Sequence, residues 1–119
     1  MAALKKIVER LTKPVEDLDR ERLVQFCDTV GGARRCDELE PRALARVAGE
    51  VQSVRIVPRA GAPSLEVAVS DGRGQVTAVF FGRRKVVGLS PGRKLILEGV
   101  VSRQGGRSFL YNPVYELLP

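Results

Sequence analysis

The 119 residues carry 20 Lys and Arg against 14 Asp and Glu, a net charge of +6, with 44% hydrophobic residues and no histidine. That length accommodates one domain with an appendage. The apolar-to-charged balance excludes the disordered and membrane-spanning classes, and two cysteines without histidine build neither a four-ligand zinc site nor a disulfide framework.

The first residues alternate Lys, Glu and Arg with apolar positions, so no export signal is expected. The pair Cys27 and Cys36 reads as two reduced thiols in a cytoplasmic setting. Charge is divided unevenly. Residues 1–41 hold eight Lys and Arg and nine Asp and Glu, a net of −1, whereas residues 42–119 hold twelve and five, a net of +7. The excess therefore lies in the second unit, which is where a polyanion would be attracted.

In chain order, Leu4, Ile7, Val8 and Leu11 line one face of a short helix ending before Pro14. Leu23, Phe26, Cys27 and Val30 repeat that spacing in a second helix that starts between Val15 and Asp17 and stops at Gly31-Gly32. Residues 1–41 are thus expected to be a helical segment packed on the second unit. From Arg42 the period changes to two. Ala45, Val47, Gly49 and Val51 share a face of a long first strand that continues through Val54 and Ile56 to Pro58, with Gly49 where the strand must coil.

A loop over residues 58–63 then reverses the chain. Leu65, Val67 and Val69 form the inward face of strand two, with Glu66, Ala68 and Ser70 outward, and Asp71-Gly72-Arg73-Gly74 is a tight turn. In strand three Val76, Ala78 and Phe80 point in, and Val79 and Phe81 point out. Residues 82–88 carry three consecutive cations, followed by Val86, Val87 and Leu89 as an apolar plug in a short helix or turn at the barrel end. Ser90-Pro91-Gly92 is a turn. Strand four places Leu95, Leu97, Gly99 and Val101 on one face, Gln104-Gly105-Gly106 turns, and strand five runs from Ser108 to Leu118. Five short strands with a connector between the third and fourth predict a mainly β, five-stranded Greek-key barrel over residues 42–119 rather than a sandwich, which needs about seven.

The runs Val47-Ala48-Gly49-Glu50-Val51, Asp71-Gly72-Arg73-Gly74, Val79-Phe80-Phe81-Gly82, Leu89-Ser90-Pro91-Gly92-Arg93 and Glu98-Gly99-Val100-Val101 resemble the oligonucleotide/oligosaccharide-binding (OB) family. This family includes the wedge domain of the RecG branch-migration helicase and the anticodon-binding barrels of aminoacyl-tRNA synthetases. The closing Tyr111-Asn112-Pro113-Val114-Tyr115-Glu116-Leu117 is similar to the wedge in particular, and the whole chain resembles small stand-alone OB proteins of actinomycete bacteria. The resemblance spans residues 45–118 and implies a nucleic-acid-binding barrel. No G-x-x-x-x-G-K-[ST] loop occurs, so the helicase's ATP-driven activity is not implied.

An OB barrel binds on the outer surface of strands two and three, between the loop joining strands one and two and the loop joining strands four and five. Arg55 and Arg59 border the first loop, Arg103 and Arg107 the second, and Arg83, Arg84 and Lys85 come directly after strand three. Such cations neutralise phosphates, and outward aromatics between them stack on bases. Phe81 is the first stacking candidate and Tyr111 the second; Phe109 and Phe80 are assigned to the core.

Glu66 stands where anticodon-binding relatives place a stacking aromatic, and a carboxylate there repels phosphate. With 5% aromatic residues and no Trp, affinity is expected to be mainly electrostatic and weakly sequence-specific. Protein docking is the alternative function. Catalysis finds no base and nucleophile pair among Asp71, Cys27 and Cys36, no cofactor or metal is expected, and Asp71 is read as serving its own turn.

Overall fold

The computed structural model describes residues 15–119; the helix expected at Leu4 to Leu11 lies outside the described residues. Helix α1 (Val15–Asp28) begins with Glu16 and Asp17 in its first turn, where carboxylates favour the helix dipole. It gives way to turns, and Gly32 at φ 75° takes the left-handed conformation that redirects the chain. The apolar stripe faces the barrel as its spacing predicts. Cys27 is buried with Ala48 and Ile96, and Leu23, Phe26 and Val30 pack around them.

The far end of α1 is clamped to a strand turn. Arg73 donates to both carboxylate oxygens of Asp28, at 2.6 and 2.9 Å. Gly72 lies so close beneath that an added Cβ would meet Val24 Cγ2 at 2.6 Å and the Arg20 carbonyl at 2.9 Å. After α1 the chain makes a 3-10 turn, Cys36–Glu38, whose first amide donates to the buried Asp71 carboxylate at 2.8 Å. Asp71 also accepts from the Arg73 and Gly74 amides, each at 2.9 Å, so it serves its own turn and pins the 3-10 segment as well. Cys36 and Leu39 belong to the barrel core, which therefore draws on residues ahead of the period change at Arg42.

The barrel is built from six strands: β1 (Leu44–Arg59), β2 (Ala62–Ser70), β3 (Gln75–Phe81), β4 (Lys94–Gln104), β5 (Arg107–Tyr111) and β6 (Val114–Leu117). They pair in the order β1-β2-β3-β5-β4-β6, and β1 also pairs with β4, which closes the sheet into a ring. Among the described strands only β3 and β5 pair in parallel. β1 closes the ring by changing partner: residues from Leu44 to Glu50 pair with β4, and those from Glu50 onward with β2. Gly49 sits at that crossing. A Cβ there would lie 2.6 Å from Val69 Cγ1 and 2.7 Å from the Ser70 carbonyl, so only glycine lets the strands approach this closely.

The inward faces are those the alternation predicts, with Val47, Leu65, Val67, Leu97 and Leu110 among the fully buried residues. Four details differ from the expectations of the sequence. The loop expected over residues 58–63 is a two-residue turn at Ala60 and Gly61 (φ 51° and 79°), and the strands pair through Pro58 with Pro63 and Arg59 with Ala62. The fifth strand is two. Asn112, at φ 47°, and Pro113 interrupt it, because proline lacks the amide that a ladder needs. Residues 82–93 form turns, one of the two forms expected there, but in the plug only Val86 and Leu89 are buried, while Val87 is 77% exposed. Val79 points out but is fully buried, held in the pairing register between Glu66 and Tyr111. No described helix is long and apolar enough to cross a membrane.

Candidate functional site

Of the nine residues singled out in the sequence, Phe81, Arg107 and Tyr111 stand on β3 and β5, and Arg55 and Arg59 reach Glu66 on β2 from β1. Strand alternation sets which side chains face outward. Leu110 enters the core, so Phe109 and Tyr111 on either side of it must both face outward. Phe81, at the end of β3, reaches diagonally to Tyr111.

The three rings form a stacked ladder with nearly parallel planes. Phe81 and Tyr111 have centroids 5.5 Å apart with planes 8° apart, and Tyr111 and Phe109 are 6.0 Å and 9° apart. Phe109 is buried, as a core assignment expects, yet stands outside the barrel's inner cluster. It lies at the outer surface beneath Arg107, whose guanidinium carbon is 5.0 Å from the ring centre. Tyr111 accepts at its hydroxyl from Gln104 at 3.0 Å, which fixes the middle rung, and Phe81 at the open end is 46% exposed. Asn112 supports that end by accepting the Phe81 amide at 2.9 Å. Phe80 is in the core as expected, edge-on to Tyr115.

Cations flank the ladder. Arg107 also donates to the Thr77 hydroxyl at 3.5 Å, and Arg103 to the Leu39 carbonyl at 3.4 Å, so the β4–β5 side of the face is held to the strands and to the 3-10 segment. Arg83, Arg84 and Lys85, directly after β3, are exposed, and none pairs with a carboxylate among the described residues.

Arg55 and Arg59 are not free in the same way. Both grip Glu66: Arg55 Nη2 donates to Oε1 at 3.3 Å and Arg59 Nη2 to Oε2 at 2.9 Å. The Glu66 side chain is only 7% exposed. Burial pushes its carboxyl upward, but the hydrogen bonds and charges of Arg59 and Arg55 outweigh burial and hold it below the usual glutamate range. The carboxylate that the sequence leaves as a lone repulsive charge is therefore paired on both oxygens. With its two arginines it forms a cluster of net charge +1.

Two adjoining depressions run across the face. One of about 210 Å³ is lined by Ser53, Arg55, Glu66, Gln75, Thr77 and Arg107 among others. The other, about 310 Å³, shares Gln75, Thr77 and Arg107 and extends to Arg103 and Cys36. Ser53, Gln75 and Thr77 were not among the residues singled out. Thr77 and Gln75 did carry a signal, since both lie on the outward parity of strand three.

Cys27, on α1, is buried against the barrel, and Cys36 is buried at the edge of the second depression. Burial, then Asp71, pushes the Cys27 thiol up to about 11 and raises Cys36 further. Among the described residues no group of three or more His, Cys, Asp or Glu is placed to hold a metal ion.

No protein-family model and no curated protein matches the chain. Solved structures do. OBody AM1L10 bound to hen egg-white lysozyme is 18% identical with a TM-score of 0.59, over 76% of this chain and 94% of that one. OBody AM3L09 bound to the same lysozyme is 18% identical with a TM-score of 0.57, over 76% and 97%. The replication Factor A related protein from Methanobacterium thermoautotrophicum is 19% identical with a TM-score of 0.54, over 72% and 90%. These likenesses concern the fold and do not single out the RecG wedge. With the closed strand order they establish that the chain is a mainly β, OB-like barrel with a helix packed on its side.

Proposed function

We propose that the protein is a non-catalytic module that binds nucleic acid through unpaired bases, in single-stranded or branched DNA or in RNA, on the outer face of β2, β3 and β5. The observation that carries this reading is the stacked ladder Phe81–Tyr111–Phe109, with its most exposed ring at one end and Arg107 over the ring at the other. The half-exposed Phe81 ring at the end of the stack offers a platform that any base can use. Arg83, Arg84, Lys85, Arg103 and Arg107 supply the phosphate contacts, joined by Arg55 and Arg59 from the Glu66 cluster. Bases already paired in a duplex cannot reach the ladder, so unpaired segments are preferred.

The test is binding of labelled single-stranded, duplex and branched DNA, and of RNA, across a salt series. Wild-type protein is expected to favour ligands with unpaired bases. Neutralising Arg83, Arg84 and Lys85 together is expected to lower the slope of log affinity against log salt by up to about 2 for a single strand, about 0.7 for each lost phosphate contact. A second reading, docking of a protein partner, is favoured by the lysozyme-bound OBodies. It replaces the first if the triple variant changes neither affinity nor salt slope for any nucleic acid.

A further inference from the structure

Glu66 is an unusual floor for a surface meant to attract a polyanion. Its two arginines each claim one lone pair on a different oxygen, leaving each oxygen with acceptor capacity, and the carboxylate lines the 210 Å³ depression. An ionised carboxylate accepts hydrogen bonds and donates none, so this spot rejects phosphate and selects a group with donors. Arg107 lines the same depression with its fork steadied by Thr77 and the Phe109 ring, and it offers donors only. One wall accepts and another donates.

We propose, building on the nucleic-acid reading above, that this depression is a guanine-selective pocket and that Glu66 is its specificity-determining residue. Guanine presents two adjacent donors, N1–H and the 2-amino group, to the two carboxylate oxygens. It also presents O6 and N7 as acceptors to an arginine fork. Adenine and cytosine bring a single amino group. Thymine and uracil bring one ring N–H between two carbonyl oxygens, which a carboxylate repels. The arginines Arg55 and Arg59 hold the Glu66 carboxylate in place rather than contacting the base.

The probe is a short oligothymidine carrying one central guanine, compared with all-thymine and with a central hypoxanthine, which lacks the 2-amino donor. The guanine oligonucleotide is expected to bind on the order of tenfold more tightly than all-thymine, with hypoxanthine between them. Glu66→Gln is expected to abolish the difference while strengthening all-thymine binding and steepening its salt slope, because the charges of Arg55 and Arg59 are then no longer offset by a carboxylate. Arg107→Lys keeps the charge and the salt slope but loses the fork, and is expected to reduce the guanine preference. Equal binding of guanine and thymine oligonucleotides by a protein that binds both overturns the pocket and leaves the nucleic-acid reading standing, as does a preference that survives Glu66→Gln. Failure to bind any oligonucleotide overturns the nucleic-acid reading and this proposal with it.

Discussion

Two outward faces of one barrel are finished in opposite ways. On the β1–β4 side, Ala48 and Ile96 present small and branched apolar surface, and α1 covers it with Leu23, Phe26 and Cys27. On the β2–β3–β5 side no described helix lies across the strands. The residues there are Glu66, Thr77, Phe109 and Tyr111, buried or half-buried by one another through ion pairs and stacked rings. The covered face gains stability from removing apolar area from water. The open face spends side chains on ordering polar groups and rings that a core would not require, which supports the binding surface proposed above.

The contrast is broken most severely from the covered side. Ile96→Ala is expected to cost about 2–5 kcal/mol of stability, the usual range for truncating a buried branched residue, and to leave oligonucleotide affinity unchanged under folding conditions. Denaturant unfolding paired with a binding titration checks both halves.

Phe81→Ala is the reciprocal experiment. It removes a half-exposed ring, so stability is expected to stay near wild type while single-strand affinity falls by about 1–3 kcal/mol, with duplex affinity and salt slope spared.

A smaller effect comes from acid. Glu66 has its folded-state pKa held below the unfolded value of about 4.3, so the stability it contributes is present above that pH and is lost as pH falls through the lowered folded value. Glu66→Gln is expected to remove this share of the acid-side slope, read as denaturation midpoint against pH.

The mildest test concerns the thiols. With Cys27 buried and its pKa near 11, and Cys36 buried with its pKa raised further, a thiol reagent at neutral pH is expected to leave the folded protein unlabelled and to react with both once it unfolds. Rapid labelling of the native protein would show that α1 does not stay on its face.

The covered face and the core were largely legible in the sequence. Leu65, Val67 and Val69 alternate cleanly, the stripe Leu23, Phe26, Cys27 and Val30 repeats at helical spacing, and Gly49 interrupts a strand where close approach requires it. These signals are local and periodic. The open face was legible in its charges but not in its assembly. Phe109 was assigned to the core, although on the strand face of Tyr111, because apolar residues near a barrel seam usually are; it is buried, but on the face opposite Leu110. Glu66 read as a repulsive charge because its partners are seven and eleven residues away, and only the pairing of Arg55 with Glu66 across the hairpin brings them together. The β1–β2 turn was misjudged through its two prolines. They suggested a loop, whereas positive φ at Ala60 and Gly61 closes the hairpin in two residues.

The difference between the two faces is tested most directly by mapping backbone amide chemical shifts while a short single-stranded oligonucleotide is titrated in. The largest changes are expected at Glu66, Thr77, Val79, Phe81, Phe109 and Tyr111 and along residues 83–85, with α1, Ala48 and Ile96 unchanged. Changes concentrated on α1 and the β1–β4 side, with the aromatic ladder silent, would contradict the assignment of the open face as the binding surface.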